Sequence, residues 1–164
     1  MNTGQSLLSL GALLLLSLTV LRVNNSILAT DSVMQDSKFG ILATSLATSL
    51  IEKASKKAFD ANTFDNTVTS VSGLTTAGGL GPAVTETPET YNDFDDYNGY
   101  SEEINNLPSA VFNIFCEVCY INPNNPDGKL TTQSWHKKMT VSVSSPSTTD
   151  TIRLSTIYSY WHFR

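Results

Sequence analysis

Residues 1–21 read MNTGQSLLSLGALLLLSLTVL and contain no Asp, Glu, Lys, Arg or His. The first charged residue of the chain is Arg22, and the first acid is Asp31. At about 1.5 Å per helical residue, about 20 apolar residues span the hydrocarbon core of a bilayer. The stretch therefore predicts one of three elements: a cleaved signal peptide, a permanent membrane anchor, or a helix that packs against copies of itself.

The sequence around this stretch argues against a cleaved signal peptide. Secretory signals carry Lys or Arg before the apolar core, and residues 1–6 have neither. Ile27-Leu28-Ala29 makes a poor cleavage site, because the residue three positions before the cut would be large. We therefore expect the apolar segment to persist in the working protein.

Composition limits the classes of function. The chain has 164 residues, enough for one domain and an appendage, and its formal net charge is −5. A net negative charge argues against nucleic acid as a partner. Charged residues make up 15% of the chain, below the roughly 25% that is usual for soluble domains. Two cysteines are too few for a disulfide framework. The composition indicates a small, acidic, exported protein.

The apolar stretch continues into a second helical pattern. From Asp31 to about Phe59, apolar residues recur at spacings of three and four, which is typical of an amphipathic helix. The two patterns predict one long helix over residues 1–58, apolar all round in 1–28 and amphipathic in 31–58. Asn24-Asn25-Ser26 is expected to loosen or kink it. The face expected to pack consists of Phe39, Leu42, Leu46, Leu50, Ala54 and Ala58.

Residues 59–108 predict an irregular acidic loop, with no Lys or Arg and with turn residues at 78–82. Residues 91–100 read YNDFDDYNGY. Clustered carboxylates in a glycine-containing loop suit a hard cation such as Ca²⁺, although the EF-hand spacing is not met. Two interpretations stay open: a solvated loop pinned by its aromatic residues, or a calcium site. The candidate calcium ligands are Asp93, Asp95, Asp96 and Asn98.

From residue 109 to 164 the apolar period becomes two, which predicts strands. Three of them, separated by turns at 122–128 and 145–147, form an antiparallel meander of three to four strands. The inward-facing residues are expected to be Phe112, Ile114, Cys116, Val118 and Tyr120, then Trp135, Met139, Val141 and Val143, then Ile152, Leu154, Thr156, Tyr158 and Tyr160 in a strand from Thr151 to Phe163. The fold class is therefore α+β, with residues 31–58 packed on the meander to form the globular head.

Residues that typically carry catalysis are few. Cys116 and Cys119 have the spacing of redox and zinc sites, but residues i and i+3 of a strand face opposite sides. Two buried or half-buried thiols are favoured over a redox pair. His136 beside Lys137 and Lys138 indicates a surface, and His162 is unsupported as a metal partner. The sequence predicts no enzyme and, apart from the calcium alternative, no cofactor.

The order of these elements resembles that of type IV pilins and pseudopilins. Residues 43–54, ATSLATSLIEKA, are similar to the second half of the family's helix. The DDYNGY of residues 95–100 resembles an acidic loop of pilin-like proteins, and the strand at 151–161 resembles their last strand. There are departures: if Met1 is the first residue of the mature chain, Gln5 stands where the family carries a glutamate, and Arg22 replaces a frequent proline.

The resemblance implies a structural subunit of an extracellular type IV pilus-like filament. Such a subunit resides in the inner membrane until the pilus or secretion assembly machinery incorporates it into a helical homopolymer. A pseudopilin of a secretion system is one alternative, and a membrane-anchored or secreted β-domain acting as a monomeric binding module is another. The residues implied in self-assembly are Gln5, Leu7, Leu8, Leu10, Leu13, Leu14, Leu15, Leu16, Leu18, Val20 and Leu21.

Overall fold

The computed structural model describes residues 2–108 and 110–160. Within these residues the chain forms one long helix followed by five strands, and the fold class is α+β as predicted. Four short 3₁₀ turns lie between the helix and the first strand. The elements are α1 Thr3–Ser55, β1 Ser101–Ile104, β2 Phe112–Asn122, β3 Asn125–Leu130, β4 His136–Ser144 and β5 Ile152–Ser159.

The chain divides into two compact units, Met1–Phe39 and Gly40–Arg164. The first unit is formed by the first part of α1. The second contains the last part of α1, the loops and the sheet. The predictions for Trp161, His162 and Phe163 lie outside the described residues.

Helix α1 begins at Thr3 and ends at Ser55, rather than at residue 58. The helix continues through Asn24-Asn25-Ser26, so these three residues do not interrupt it. Their intrinsic cost is only about 0.7 kcal/mol each, which the strong helix formers on both sides outweigh. Several hydroxyls in α1 donate to the carbonyl four residues earlier: Ser9 Oγ to Gln5 O at 2.9 Å, Thr19 Oγ1 to Leu15 O at 2.7 Å and Thr30 Oγ1 to Ser26 O at 2.9 Å.

The buried face of α1 lies in its last part and is centred on small residues. Ala43, Ala47, Leu50 and Ala54 are buried. Of the expected face, Leu50 and Ala54 are confirmed, whereas Phe39, Leu42, Leu46 and Ala58 are only half-buried. Alanines thus occupy the centre of the buried face, and the longer side chains lie at its flanks. The buried face is therefore rotated about the helix axis relative to the predicted one. The prediction was centred on the large apolar residues, whereas the buried face is centred on the alanines.

The five strands form one antiparallel sheet with the order β1-β2-β4-β5. The β2–β4–β5 meander is the predicted one, and its central row pairs Cys116 with Val141 and Val141 with Leu154. Strand β3 pairs with the end of β2, on the edge that β1 also occupies.

Two strands lie where the sequence predicted none. Strand β1 falls inside the predicted irregular loop, and β3 includes residues 125–128 of the predicted turn. The side chains of Ser101, Glu102 and Glu103 are exposed, so β1 carries no apolar alternation that would mark it. Pro126 and Gly128 indicated a turn, but both are tolerated in a strand at a sheet edge.

The core lies on the inward face of the sheet. All five inward residues predicted for β2 are buried, as are Met139, Val141 and Val143 in β4. In β5 the alternation is confirmed, with Tyr158 buried and Ile152, Leu154 and Thr156 half-buried. Trp135 is half-buried. One more β4 side chain points inward and is fully buried, Lys137, which the sequence had placed on the surface.

The loop before β1 is held by aromatic contacts, as predicted. The ring centroids of Tyr91 and Tyr97 lie 5.2 Å apart, and those of Tyr97 and Tyr100 lie 6.0 Å apart. Phe94 is fully buried with its ring 4.9 Å from that of Tyr158. Glycine is required at Gly99, where φ is +81° and the N–H donates to Cys116 O at 3.0 Å. These contacts fix the loop against β2 and β5.

Candidate functional site

The first candidate site is the apolar part of α1. Every residue from 2 to 38 is exposed except Ser6 and Gly11, which are half-buried. One 18-residue window has a mean hydropathy of 2.0 and no buried residue, so α1 is long and apolar enough to cross a membrane. All of the predicted self-assembly residues are exposed, the leucines by between 57% and 77%: Gln5, Leu7, Leu8, Leu10, Leu13, Leu14, Leu15, Leu16, Leu18, Val20 and Leu21.

An exposed apolar surface of this kind marks a site of interaction. Contiguous apolar patches larger than a few hundred Å² are rare on monomeric soluble proteins. The few polar side chains within the patch are compatible with an apolar environment, because Ser9 and Thr19 satisfy their hydroxyls within the helix. The first part of α1 is therefore an apolar helix fit for membrane insertion or self-association.

The second candidate site is a buried charge cluster centred on Lys137. Its Nζ donates to Asp60 Oδ2 at 2.8 Å, to Asp95 Oδ1 at 2.5 Å and to the carbonyl oxygen of Phe59 at 2.8 Å. The ammonium also lies 4.5 Å from the ring centroid of Phe59 and 5.2 Å from that of Tyr120. All three hydrogens of the ammonium therefore have acceptors, and two rings cover its remaining side.

Asp60 is the most fully bonded carboxylate of the cluster. It accepts hydrogen bonds from the backbone N–H of Asn62 at 3.1 Å and of Thr75 at 3.1 Å, and from the hydroxyls of Thr75 and Tyr120 at 3.0 and 3.1 Å. Burial acts to raise the pKa of Asp60, but the charge of Lys137 and these hydrogen bonds outweigh it, so the pKa lies below its usual value. Asp60 is thus an ionised anchor that ties two loop segments, at Asn62 and at Thr75, to β2 and β4.

The three aspartates of the predicted calcium loop are buried, each less than 4% exposed. Asp96 Oδ2 accepts from the backbone N–H of Asn92 at 2.8 Å and of Asp93 at 3.1 Å. Asp93 Oδ1 accepts from the N–H of Asp95 at 2.9 Å and of Asp96 at 3.2 Å. The interpretation of a solvated loop is wrong, because these side chains turn inward to cap the loop's own backbone and to meet Lys137.

Burial and crowding change the protonation of the cluster. Burial raises the pKa of Asp93 to about 8, helped by the charge of Asp95 and a side-chain hydrogen bond between the two. Burial also raises the pKa of Asp95, although the neighbouring Lys137 opposes that shift. A neutral Asp93 leaves the Lys137 ammonium facing the carboxylates of Asp60 and Asp95.

The fourth predicted calcium ligand, Asn98, has a structural role. It is half-buried, its Nδ2 donates to Leu80 O at 3.0 Å, and its Oδ1 accepts from the N–H of Val118 at 2.9 Å. Among residues 2–108 and 110–160, no group of three or more His, Cys, Asp or Glu side chains is arranged to hold a metal ion. Calcium binding stays a prediction.

One feature of the sequence does indicate that Lys137 is buried. Lys137 is in phase with Met139, Val141 and Val143, so the period of two alone places it on the inward face. The adjacent His136 and Lys138 suggested a charged surface instead. The partners of Lys137 lie 42 and 77 residues away, and no local pattern connects them.

The two thiols lie as the strand period predicted. Cys116 is buried and Cys119 is half-buried, both are free, and they occupy opposite-phase positions of β2. Burial, with a smaller effect of Glu117, raises the pKa of the Cys116 thiol to about 12. The reactive thiolate is therefore disfavoured at this position.

Searches against protein-family models, curated proteins and solved structures return no match. The class that the fold defines rests on architecture alone. A long N-terminal helix, apolar and exposed at first and then packed on an antiparallel sheet, is a pilin-like arrangement.

Proposed function

We propose that this chain is a structural subunit of an extracellular type IV pilus-like helical filament and that it polymerises through the apolar part of α1. The observation that carries the proposal is the combination in one segment of high hydropathy and exposure of nearly every side chain. Transfer of each leucine from water to an apolar environment is worth about 1.5–3 kcal/mol. A core built from many copies of this helix recovers that free energy.

In this proposal the subunit passes through two apolar environments. Residues 7–21 reside in the inner membrane before assembly, and the assembly machinery then transfers them into the helical core. Contacts between unlike surfaces of identical subunits generate a helical polymer when they do not close into a ring. No catalytic group is required of the subunit.

The outward face of the sheet is suited to the surface of a filament. Thr140 and Ser155 share a hydrogen bond of 3.0 Å, and Lys129 pairs with Glu117 at 2.5 Å. Both pairs are solvent-exposed, and they share this face with the exposed side chains of Phe115 and Ile157. A pseudopilin of a secretion system would use the same helix contacts in a shorter assembly, so it is the second form of the proposal.

Negative-stain electron microscopy of material sheared from the surface of the source cells tests the proposal. Thin fibres that contain this chain, identified by mass spectrometry and by a specific antibody, are the expected result. If the chain instead stays with the cells and runs as a monomer in mild detergent, the filament proposal fails. That result favours a membrane-anchored domain acting alone.

A further inference from the structure

The side chains of Lys137 and Asp95 form a close and buried contact, which does not depend on the proposed filament. The two atoms of the contact, Nζ and Oδ1, are 2.5 Å apart, and the side chains are 0% and 3% exposed. A third carboxyl lies beside them: Asp93 is 2% exposed, and its Oδ1 accepts from the backbone N–H of Asp95 at 2.9 Å. An amine, a carboxyl and a neighbouring proton carrier are thus held together away from water.

We propose that Lys137 and Asp95 join in an intramolecular isopeptide bond, with Asp93 as the group that transfers the protons. Fixing two reactants at contact distance raises their effective concentration by many orders of magnitude. Removing water favours condensation, since water is its product. The amide avoids the desolvation cost of the Lys137–Asp95 ion pair, and it leaves the Asp60 carboxylate with the hydrogen bonds from Asn62, Thr75 and Tyr120.

Asp95, rather than Asp60, is the carboxyl that reacts. The amide keeps only one of the two carboxyl oxygens. Asp60 uses both oxygens to accept hydrogen bonds from Thr75, and its Oδ2 also accepts from the hydroxyl of Tyr120. The single oxygen left in an amide has two lone pairs, fewer than the four donors from which Asp60 accepts in addition to Lys137. Asp95 Oδ1 contacts Lys137, and the backbone N–H of Asp95 donates to Asp93, so Asp95 lies between the two other groups of the reaction.

Burial distinguishes this pair from another close pair in the chain. Lys129 and Glu117 are also 2.5 Å apart, but their side chains are 60% and 45% exposed. In water the lysine stays protonated and strongly hydrated, and the carboxylate is a poor electrophile. Lys129 and Glu117 should therefore remain an ion pair, and they provide an internal control.

The reaction is a condensation without oxidation or reduction. Lys137 first gives one proton to the Asp95 carboxylate, which leaves a neutral amine beside a neutral acid. The lone pair of Nζ attacks Cγ of Asp95, and a C–N bond forms. Asp93 gives its proton to the departing hydroxyl and takes one from the nitrogen, so the C–O bond breaks and one water leaves. Asp93 returns to its starting state, and one positive and one negative charge are lost together.

The bond would join the loop to the sheet covalently. Asp95 lies in the turn before β1 and Lys137 lies in β4, 42 residues further along the chain. A cross-link over a loop of this length restricts the unfolded chain, as a disulfide does, and stabilises the fold through the same effect.

The test is the intact mass of the full chain, purified in mild detergent and then fully denatured. The expected mass is lower than that of the unmodified chain by one water molecule, and a proteolytic digest should contain a branched peptide that joins Lys137 to Asp95. A mass without this loss overturns the proposal. So does a loss of water that maps to a linear peptide, as in a cyclic imide, or to a link between Lys137 and Asp60.

Variants assign the roles of the residues. Lys137→Arg and Asp95→Ala should both keep the mass of the unmodified chain. Asp93→Asn retains an oxygen to accept from the backbone of Asp95 and Asp96, but it should slow cross-linking at least tenfold, because general acid–base assistance is worth about 10²–10⁴-fold in rate. Lys129→Met, the control at the exposed pair, should keep the full loss of water. An Asp93→Asn chain that cross-links as fast as the parent removes Asp93 from the mechanism.

Discussion

At the scale of single residues, the side chain of Lys137 connects segments that are 42 and 77 residues apart in sequence. Taking a charge out of water costs several kcal/mol, and the cost is recovered only where the partners are close and fully bonded. Here the ammonium has three oxygen acceptors and two aromatic neighbours. The cluster therefore depends on each of its members.

Lys137→Met should destabilise the fold by about 3–5 kcal/mol, because it takes from the buried side chains of Asp60 and Asp95 the partner that both contact. Denaturant unfolding followed by circular dichroism measures the change. Lys138→Met is the matched control, since the neighbouring lysine pairs with Asp127, a residue that is 91% exposed. Its effect should be much smaller. If the two variants lost equal amounts of stability, the buried cluster would contribute no more than the exposed pair.

The raised pKa of Asp93 predicts a loss of stability as the pH rises. The ordinary pKa of 3.8 describes the unfolded chain, whereas the folded value is about 8, so between these values the folded state holds a proton that the unfolded state has released. The free energy of unfolding then falls with pH by up to about 1.4 kcal/mol per unit, and this contribution is lost by about pH 8. Burial, the largest cause, acts whether or not Lys137 and Asp95 are joined.

Unfolding at a series of pH values between 5 and 8 measures this slope. Asp93→Asn should flatten it, since the amide does not titrate. Asp65→Asn, which removes an acid from an exposed position, should leave it in place. A slope that is unchanged in Asp93→Asn would assign the pH dependence to another group.

At the scale of elements, α1 has two parts with different surroundings. Residues 2–38 contain no buried side chain, whereas Ala43, Ala47, Leu50 and Ala54 are buried. The same helix thus presents leucines where it is exposed and alanines where it packs. Substitutions in residues 2–38 should therefore affect assembly. Substitutions in the part of α1 that packs should affect the stability of the fold.

Ala47→Leu should destabilise the second unit by about 1–3 kcal/mol, because Ala47 is 0% exposed and a larger side chain must displace its neighbours. Thr48→Leu is the matched control at the next position, which is exposed. Thermal unfolding of the two variants measures the difference in their stability. Equal melting temperatures would mean that α1 does not pack closely at Ala47.

Leu14→Arg should abolish assembly, because a charge at the centre of an apolar helix costs about 2.5–3.5 kcal/mol in a bilayer and no less in a packed core. Gln5→Ala is the control. Gln5 is exposed and uncharged, and its loss should leave the yield of fibres within a few-fold. Fibre yield by electron microscopy measures both. Complete loss of fibres in Gln5→Ala would show that Gln5 has a specific partner.

The elements that repeat a local pattern were predictable, and those that depend on distant partners were not. The alternation in β2, β4 and β5 and the length of α1 follow from residue spacing alone. The exposed strand β1 has no such pattern, and β3 contains Pro126 and Gly128, which favour turns. The burial of Asp60 and Asp95 depends on Lys137, which no local rule connects to them. Thus the apolar helix was predictable as a site, whereas the charge cluster was not.

At the scale of the whole molecule, the chain separates into a unit with no buried side chain among its described residues 2–38 and a unit that contains the core. The buried residues of the sheet, the aromatic loop and the charge cluster all belong to Gly40–Arg164. The apolar residues of the first unit make no buried contact within it. Their burial therefore requires lipid or other copies of the chain, which is the central claim of the proposed function.

Removal of residues 1–28 tests that claim most directly. The deletion leaves the core-forming residues in place and takes away ten leucines. Seven of these leucines alone are worth about 10–20 kcal/mol before the entropic cost of association. The seven are Leu8, Leu10, Leu13, Leu14, Leu15, Leu16 and Leu18, and the other three are Leu7, Leu21 and Leu28. The account predicts a water-soluble protein with the mass of one chain by light scattering and with its strand signal retained in circular dichroism. Fibres formed by the truncated chain would contradict it, because the filament core would then not be this helix.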